Sequence, residues 1–343
     1  MPILNAFKGI PNSSPPIWLL RQAGRYLPEY RAVREKLSTF MELCFHEEYA
    51  TEVTLQPLRK FDLDAAILFS DILVIPHVLG QMVHVIEKQG PILKPLEDLS
   101  FFDKANEIDL VQALKIPLKI LHNVRETLPS TKAVIGFSGS PWTIATYMLE
   151  GGKSTTFQKI IDLLETRNPI FTQTMALLEK SIGTFLIAQI DAKADVVQIF
   201  DSWASAVPLI HQKEWIVAPV RRIIARIRAC HPTTPIIYYG RGVSKLYSQV
   251  VEGFSNIVLG VDEGVSISIK KSQIQALAPI QGNLCPKVLV EGGKLMKTNV
   301  LDLLRTFQGT PYVFNLGHGI VPQTPVDHVA QLVDLVKESL PHR

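Results

Sequence analysis

Short apolar runs recur along the chain. Each is followed by a Gly, Ser, Asp or Arg cluster and then by a longer segment of helical periodicity. The runs predict strands at residues 17–20, 65–69, 133–137, 196–200, 236–239, 257–261, 279–282 and 312–316. Most are apolar throughout rather than alternating, as in parallel strands covered on both faces. Helical patterns lie between several of them, residues 157–192 and 213–230 being the longest. Repetition of strand and helix predicts a parallel sheet. About eight such units predict a closed (β/α)8 (TIM) barrel. A doubly wound open sheet is the rival. It more often carries a Gly-rich phosphate turn after its first strand, and none stands there.

Two local features add detail. Ser140 suits a helix N-cap, Pro141 the first helical position, and Gly151-Gly152 the stop, so a helix is predicted over Pro141–Glu150. Residues 81–87 partly alternate and Gly90-Pro91 follows, predicting a small hairpin after the second strand. No low-complexity tract, linker or charge block marks a boundary. The expectation is one barrel domain over residues 1–343, with a short N-terminal extension and a hairpin insertion near 81–95.

Composition narrows the function. Apolar residues make up 47% and charged residues 20%, which excludes a disordered chain and allows a sizeable core. No apolar run approaches the ~18 residues of a membrane span, so no membrane partner is expected. Residues 1–14 do not read as a signal peptide. The net charge of +3 is too small to argue for nucleic acid, so an anionic ligand has to be held by locally placed Arg or Lys. Cys44, Cys230 and Cys285 are few, odd in number and far apart. That argues against a disulfide scaffold or a structural zinc site and for a reducing, cytoplasmic setting.

Polar residues gather just after the predicted strands. Arg21 and Arg25 follow the first, Ser70-Asp71 the second and residues 138–140 the third. Asp201-Ser202, Arg241, Asp262, Asn283 and His318 follow the rest. In a barrel these positions converge at the C-terminal mouth, where active sites lie. Arg21 and Arg25, four residues apart, suit forked binding of carboxylates, and equally suit surface ion pairs. Asp71 suits acceptance of hydrogen bonds from ligand N–H groups, a helix cap or an Arg partner. Tyr147 is either a donor to a ligand carboxylate or a packed helix tyrosine. Ser202 either binds ligand oxygen or caps a turn; no Gly-x-Ser-x-Gly elbow surrounds it. His318 is either a structural histidine or a ligand contact; it stands between two glycines that permit tight backbone and close ligand approach. No HxC, HExxH or other metal-ligand spacing is present, so no metal is expected.

Several stretches together resemble one family. Residues 18–31 (WLLRQAGRYLPEYR) resemble the N-terminal signature of uroporphyrinogen decarboxylase. Residues 55–59 (LQPLR), 64–73 (DAAILFSDIL), 139–152 (GSPWTIATYMLEGG), 198–203 (QIFDSW), 281–284 (QGNL) and 314–320 (FNLGHGI) are similar in turn. The resemblance implies a (β/α)8 barrel without metal or organic cofactor, a homodimer, and conversion of uroporphyrinogen III to coproporphyrinogen III. By motif match Arg21, Arg25, Asp71, Tyr147, Ser202 and His318 fall on the family's substrate-site positions, with Asp71, Arg21 and Arg25 the expected catalytic groups. Decarboxylation needs an electron sink, and a pyrrole protonated at carbon is one, so no cofactor is required. Asp71 would accept hydrogen bonds from the pyrrole N–H groups and stabilise the cationic ring. Arg21 or Arg25 would bind the reacting acetate or organise proton delivery, since an acid role for Arg is difficult at its pKa. Tyr147, Ser202 and His318 would fix other carboxylates.

The chain departs from the family pattern at three places: Cys285 after QGNL, Glu263 after the sixth-strand Asp262, and Gly240-Arg241-Gly242 at the fifth strand end. Two alternatives remain. One is a zinc-dependent corrinoid or thiol methyltransferase on the same barrel, which would need an HxC-type pair and a further Cys. The other is a non-catalytic porphyrin binder.

Overall fold

The computed structural model of the chain describes residues 1–86, 89–266 and 273–338. Nine strands follow one another in them: β1 (Ala65–Ile67), β2 (Val83–Ile86), β3 (Gly90–Leu93), β4 (Ala133–Gly139), β5 (Val196–Asp201), β6 (Ile236–Gly240), β7 (Ile257–Gly260), β8 (Ile280–Gln281) and β9 (Tyr312–Val313). Seven form one sheet in the order β1-β4-β5-β6-β7-β8-β9, and every neighbouring pair is parallel. β4 and β6 are buried at every residue, as strands covered by helices on one face and a filled barrel on the other should be.

The eighth stave is residues 16–20, lying between β9 and β1. It was expected as a strand over 17–20 but contributes a single parallel bridge, Ile17 to Phe314. The reason lies in its partners. Phe314 N donates to Pro16 O at 2.9 Å, and Asp64 N donates to Ile17 O at 2.8 Å. Ile17 N, however, donates to the Asp64 carboxylate at 2.6 Å, and Leu20 N to Asn315 Oδ1 at 2.9 Å. Side chains replace ladder carbonyls, so the barrel closes without a regular strand. The same substitution shortens two predicted strands. Phe69 N bonds Thr54 Oγ1 at 3.0 Å and Leu316 N bonds Asn315 Oδ1 at 2.8 Å, so the regular strands end at Ile67 and Val313, and Phe314 and Leu316 keep only single bridges, to Ile17 and Leu284.

The barrel interior is a small apolar layer that includes Trp18, Leu20, Ala65, Ala133, Ile135, Val196, Ile237, Val258 and Val313. The N-terminal helix Pro2–Phe7 plugs it, burying Ile3, Ala6 and Phe7, spaced i, i+3, i+4 along one face. A polar chain crosses the interior above it: Trp18 Nε1 donates to Gln281 Oε1 at 2.9 Å, and Gln281 Nε2 to Gln198 Oε1 at 3.3 Å. The larger core lies outside the barrel, between the alternate strand residues, such as Ala66, Val134 and Val197, and the surrounding helices.

The helix Pro141–Glu150 forms over the predicted span. Ser140 Oγ accepts Thr143 N–H at 3.1 Å, and Gly151 ends the helix at φ 84°, in the left-handed region open to glycine. The predicted helix over 157–192 is instead two, Gln158–Glu165 and Pro169–Asp191. Pro169 has no N–H and disfavours helical geometry at Asn168. Asn168 Oδ1 then caps the second helix by accepting Ile170 N–H at 2.9 Å. The 213–230 segment is continuous, but Lys213–Val217 is wound as a π-helix before Ala218–Cys230. Pro219, which has no N–H to donate, lies just past that junction. β2 and β3 pair antiparallel, Val83 opposite Leu93, and β3 rests on the end of Pro141–Glu150 through Leu93 N to Gly151 O at 2.9 Å.

Candidate active site

All the strands of the sheet point their C-terminal ends to one mouth, and the loops there are held by buried polar side chains. Gln22 holds the loop after the first stave: its Nε2 donates to Ala65 O at 3.0 Å, its Oε1 accepts Leu19 N–H at 3.2 Å, and its carbonyl accepts from Tyr26 Oη at 2.8 Å. Arg21, beside it, sits at φ 57°, a strained conformation for a residue with a Cβ. Its stem lies on Gly319, where an added Cβ would come 2.4 Å from Arg21 Cδ. Gly317 has no room either, because an added Cβ would come 2.4 Å from Glu263 N. Of the two uses the sequence offers for the glycines flanking His318, tight backbone and close ligand approach, the structure shows the first: they make room for Arg21 and for the Glu263 backbone.

Arg21 is the electrostatic centre. Its charge acts on Asp71, Tyr147, Tyr239 and His318. Asp71 is half-buried. Its Oδ1 accepts Leu73 N–H at 2.8 Å, and its other oxygen takes no hydrogen bond from any described residue. Burial pushes the Asp71 pKa up, opposed by the Leu73 N–H and by Arg21. Tyr147, with its ring centroid 6.4 Å from that of Trp203, stays protonated because burial raises its pKa. His318 Nδ1 accepts Gly319 N–H at 2.5 Å, which leaves the proton on Nε2. Burial, then the Arg21 and Arg241 charges, lower the His318 pKa to about 4, so the ring is neutral near pH 7. Ser202 is half-buried beside Trp203, and its hydroxyl bonds no described residue. Arg25, exposed like Arg21, acts through its charge on Tyr30, and its carbonyl accepts from Arg31 Nη1 at 2.7 Å. The structure thus brings the charge of Arg21 to bear on Asp71, Tyr147 and His318.

Other residues shape the mouth, most of them among the polar residues that follow the predicted strands. Asp201 is fully buried at the end of β5 and accepts Ser140 Oγ at 2.6 Å and Thr143 Oγ1 at 2.7 Å. It fastens the helix that carries Tyr147 to the strand that leads into Ser202. Its position beside Ser202 was the available signal. Tyr239 Oη donates to Gly317 O at 2.8 Å, tying β6 to the His318 loop. Ser70 and Ser138, at the ends of β1 and β4, each hold a buried hydroxyl without a partner among the described residues.

Asp201 and His318 pull stability in opposite directions. Burial raises Asp201 from 3.8 to about 6, against the opposing Ser140, Thr143 and Tyr238 hydrogen bonds. As pH falls from 6 toward 4 the folded chain takes this proton before the unfolded chain does, so stability rises. His318, lowered from 6.5 to about 4, is protonated first in the unfolded chain, so over the same range stability falls. Asp201→Asn removes the first effect alone. Its stability relative to the unchanged chain should fall by roughly 2 kcal/mol between pH 6.5 and 4, read from urea midpoints. Parallel pH curves for the two proteins would show that Asp201 has no raised pKa.

Residues 1–339 match the model of the family described as Uroporphyrinogen decarboxylase (URO-D). The chain belongs to the uroporphyrinogen decarboxylase family. A uroporphyrinogen decarboxylase of Rhodospirillum rubrum is 43% identical over 336 residues, covering 98% of this chain and 97% of the relative. One from a Chelativorans species is 43% identical over 343 residues, 98% of each chain. A methyltransferase from Methanosarcina mazei matches in fold, with a TM-score of 0.81 at 19% identity over 99% of this chain and 98% of that one. The closed arrangement of staves and this likeness make the fold a (β/α)8 barrel, as the strand and helix repeat predicts. In this member of the uroporphyrinogen decarboxylase family, no helix among the described residues is long and apolar enough to cross a membrane. Nor do the described residues contain a group of three or more His, Cys, Asp or Glu able to hold a metal ion.

Proposed function

We propose that this chain decarboxylates the four acetate side chains of uroporphyrinogen III, giving coproporphyrinogen III in tetrapyrrole biosynthesis. One observation carries the residue assignment: a single guanidinium, Arg21, acts on a half-buried carboxylate, a protonated phenol and a neutral imidazole at the barrel mouth. An anionic tetrapyrrole needs both a cation for its carboxylates and an acceptor for its inward-pointing N–H groups.

In each cycle a pyrrole carbon takes a proton and the ring becomes cationic. The bond between the acetate methylene and its carboxyl then breaks, CO2 leaves, and the electron pair enters the ring. The methylene carbon takes a proton and the ring carbon returns one, so the net change is one proton in and one CO2 out. Asp71, through its open oxygen, accepts the pyrrole N–H groups and stabilises the cationic ring in a weakly solvated site. Arg21 holds the reacting acetate, with Arg25 as the second cation of the pair. Tyr147 Oη, His318 Nε2 and the Ser202 hydroxyl donate to other carboxylates. The ring supplies the electron sink, so no cofactor is assigned.

The test is an anaerobic incubation of metal-stripped protein with uroporphyrinogen III, followed by oxidation and chromatographic counting of carboxyl groups. Seven-, six-, five- and four-carboxyl products are expected. An unchanged eight-carboxyl pool from folded protein would overturn the reading.

The proposal extends to one barrel domain, paired as a homodimer in the cytoplasm. Leu209 and Ile210, 84% and 82% exposed in the loop after β5, offer an apolar contact between copies. Sedimentation should return twice 38.3 kDa, and a monomer would sink the pairing. Cys44, Cys230 and Cys285 are unpaired, as a reducing compartment requires.

A further inference from the structure

Two of the positions at which the chain departs from the family pattern bond each other. Arg241 follows β6 and Glu263 follows β7, the neighbouring strand, and Arg241 Nη2 donates to Glu263 Oε1 at 3.1 Å. Their turns are rigid. The Asp262 carboxylate accepts Gly242 N–H at 2.9 Å and Gly264 N–H at 2.7 Å, and Arg241 N donates to Asp201 O at 3.1 Å. Gly317 presses the His318 loop onto the Glu263 backbone, so the pair stands at the same mouth as His318.

This pair is bonded unlike the other Arg–Glu pairs among the described residues. Arg59 holds Glu52 through two nitrogens at 2.9 and 2.8 Å, and Arg222 holds Glu179 at 2.8 and 2.7 Å. Arg167 holds Glu214 at 3.0 and 3.2 Å. Those are complete forks, the arrangement of a pair whose purpose is each other. Arg241 uses one nitrogen. Its remaining N–H groups meet no acceptor among the described residues, and the second oxygen of Glu263 is buried without a donor. The Arg241 side chain is 38% exposed, open to the mouth, while that of Glu263 is 25% exposed.

We infer that Arg241 is a further substrate-positioning residue, which binds a peripheral carboxylate of the tetrapyrrole through its free N–H groups while Glu263 holds its other edge. The guanidinium then bridges two carboxylates, one from the protein and one from the substrate. This deepens the decarboxylase reading and rests on it.

The test compares the unchanged protein with Arg241→Ala, Arg241→Lys and the double variant Arg241→Met/Glu263→Leu. The double variant leaves no charge unpaired, so it keeps the question open to measurement if Arg241→Ala fails to fold. Readouts are KM and kcat on uroporphyrinogen III, and the Kd of oxidised, unreactive uroporphyrin from fluorescence quenching. Loss of a charge-assisted contact made alike in ground and transition states should raise KM and Kd about tenfold or more, with kcat within about twofold. Arg241→Lys, which keeps the charge and loses the fork, should recover part of the loss. A folded variant with unchanged KM and Kd overturns the inference and leaves the decarboxylase reading intact. Arg241-dependent binding of uroporphyrin by a protein that turns nothing over keeps the anion site and sinks the decarboxylase reading.

Discussion

Asp71→Asn is expected to lower kcat on uroporphyrinogen III by about a hundredfold to a thousandfold, the scale of losing one preorganised electrostatic group. The substitution is nearly isosteric. Asn Oδ1 can still accept the Leu73 N–H that Asp71 accepts at 2.8 Å, so the turn leading into the helix Val74–Val78 should survive. What disappears is the negative charge, and what arrives is an N–H donor facing pyrrole N–H donors. Burial strengthens both effects, because the carboxylate stands where solvent screens little, as its raised pKa records. The loss should fall on kcat more than on KM, since the cationic ring exists in the transition state and not in the ground state. Near-normal turnover from folded Asp71→Asn protein would remove Asp71 from the mechanism.

Arg21→Met should lower kcat/KM by about a hundredfold, the loss of a charged contact to a substrate carboxylate. Methionine suits the comparison. It is unbranched and fits the channel over Gly319, and at φ 57° it bears the same backbone strain as arginine. The change also has a titration signature. Arg21 holds down the pKa of His318 and opposes the rise at Asp71. Its removal should move His318 upward from about 4, though burial and Arg241 remain to keep it below its ordinary value. Asp71 should move up as well, so the acid limb of the pH–rate profile shifts to higher pH. Histidine NMR and the rate profile read these separately. A kcat/KM within about threefold of the unchanged protein would show that Arg21 does not hold the reacting carboxylate.

Much of this was legible in the residues because its causes are local. Apolar runs set β4, β5, β6 and β7 to within a residue or two at each end, and Ser140, Pro141 and Gly151 bounded their helix, since caps and prolines act within one turn. Pro169 was equally visible as the break in the 157–192 segment, though apolar periodicity alone ran through it. The gathering of polar residues after strands pointed to the mouth, because parallel strands must end on the same side.

What the sequence by itself determined is therefore the alternation of strand and helix, the edge at which chemistry gathers, and through ordered motifs the family. The tertiary structure decided the rest. It reduced the first stave to one bridge, because Asp64 and Asn315, 47 and 295 residues from their partners, take its N–H groups. It set the charge of Arg21 against Asp71, Tyr147 and His318. It joined Arg241 to Glu263 by a single bond. Side-chain direction at a loop depends on contacts between distant segments, such as Arg21 on Gly319, and no periodicity along the chain encodes them.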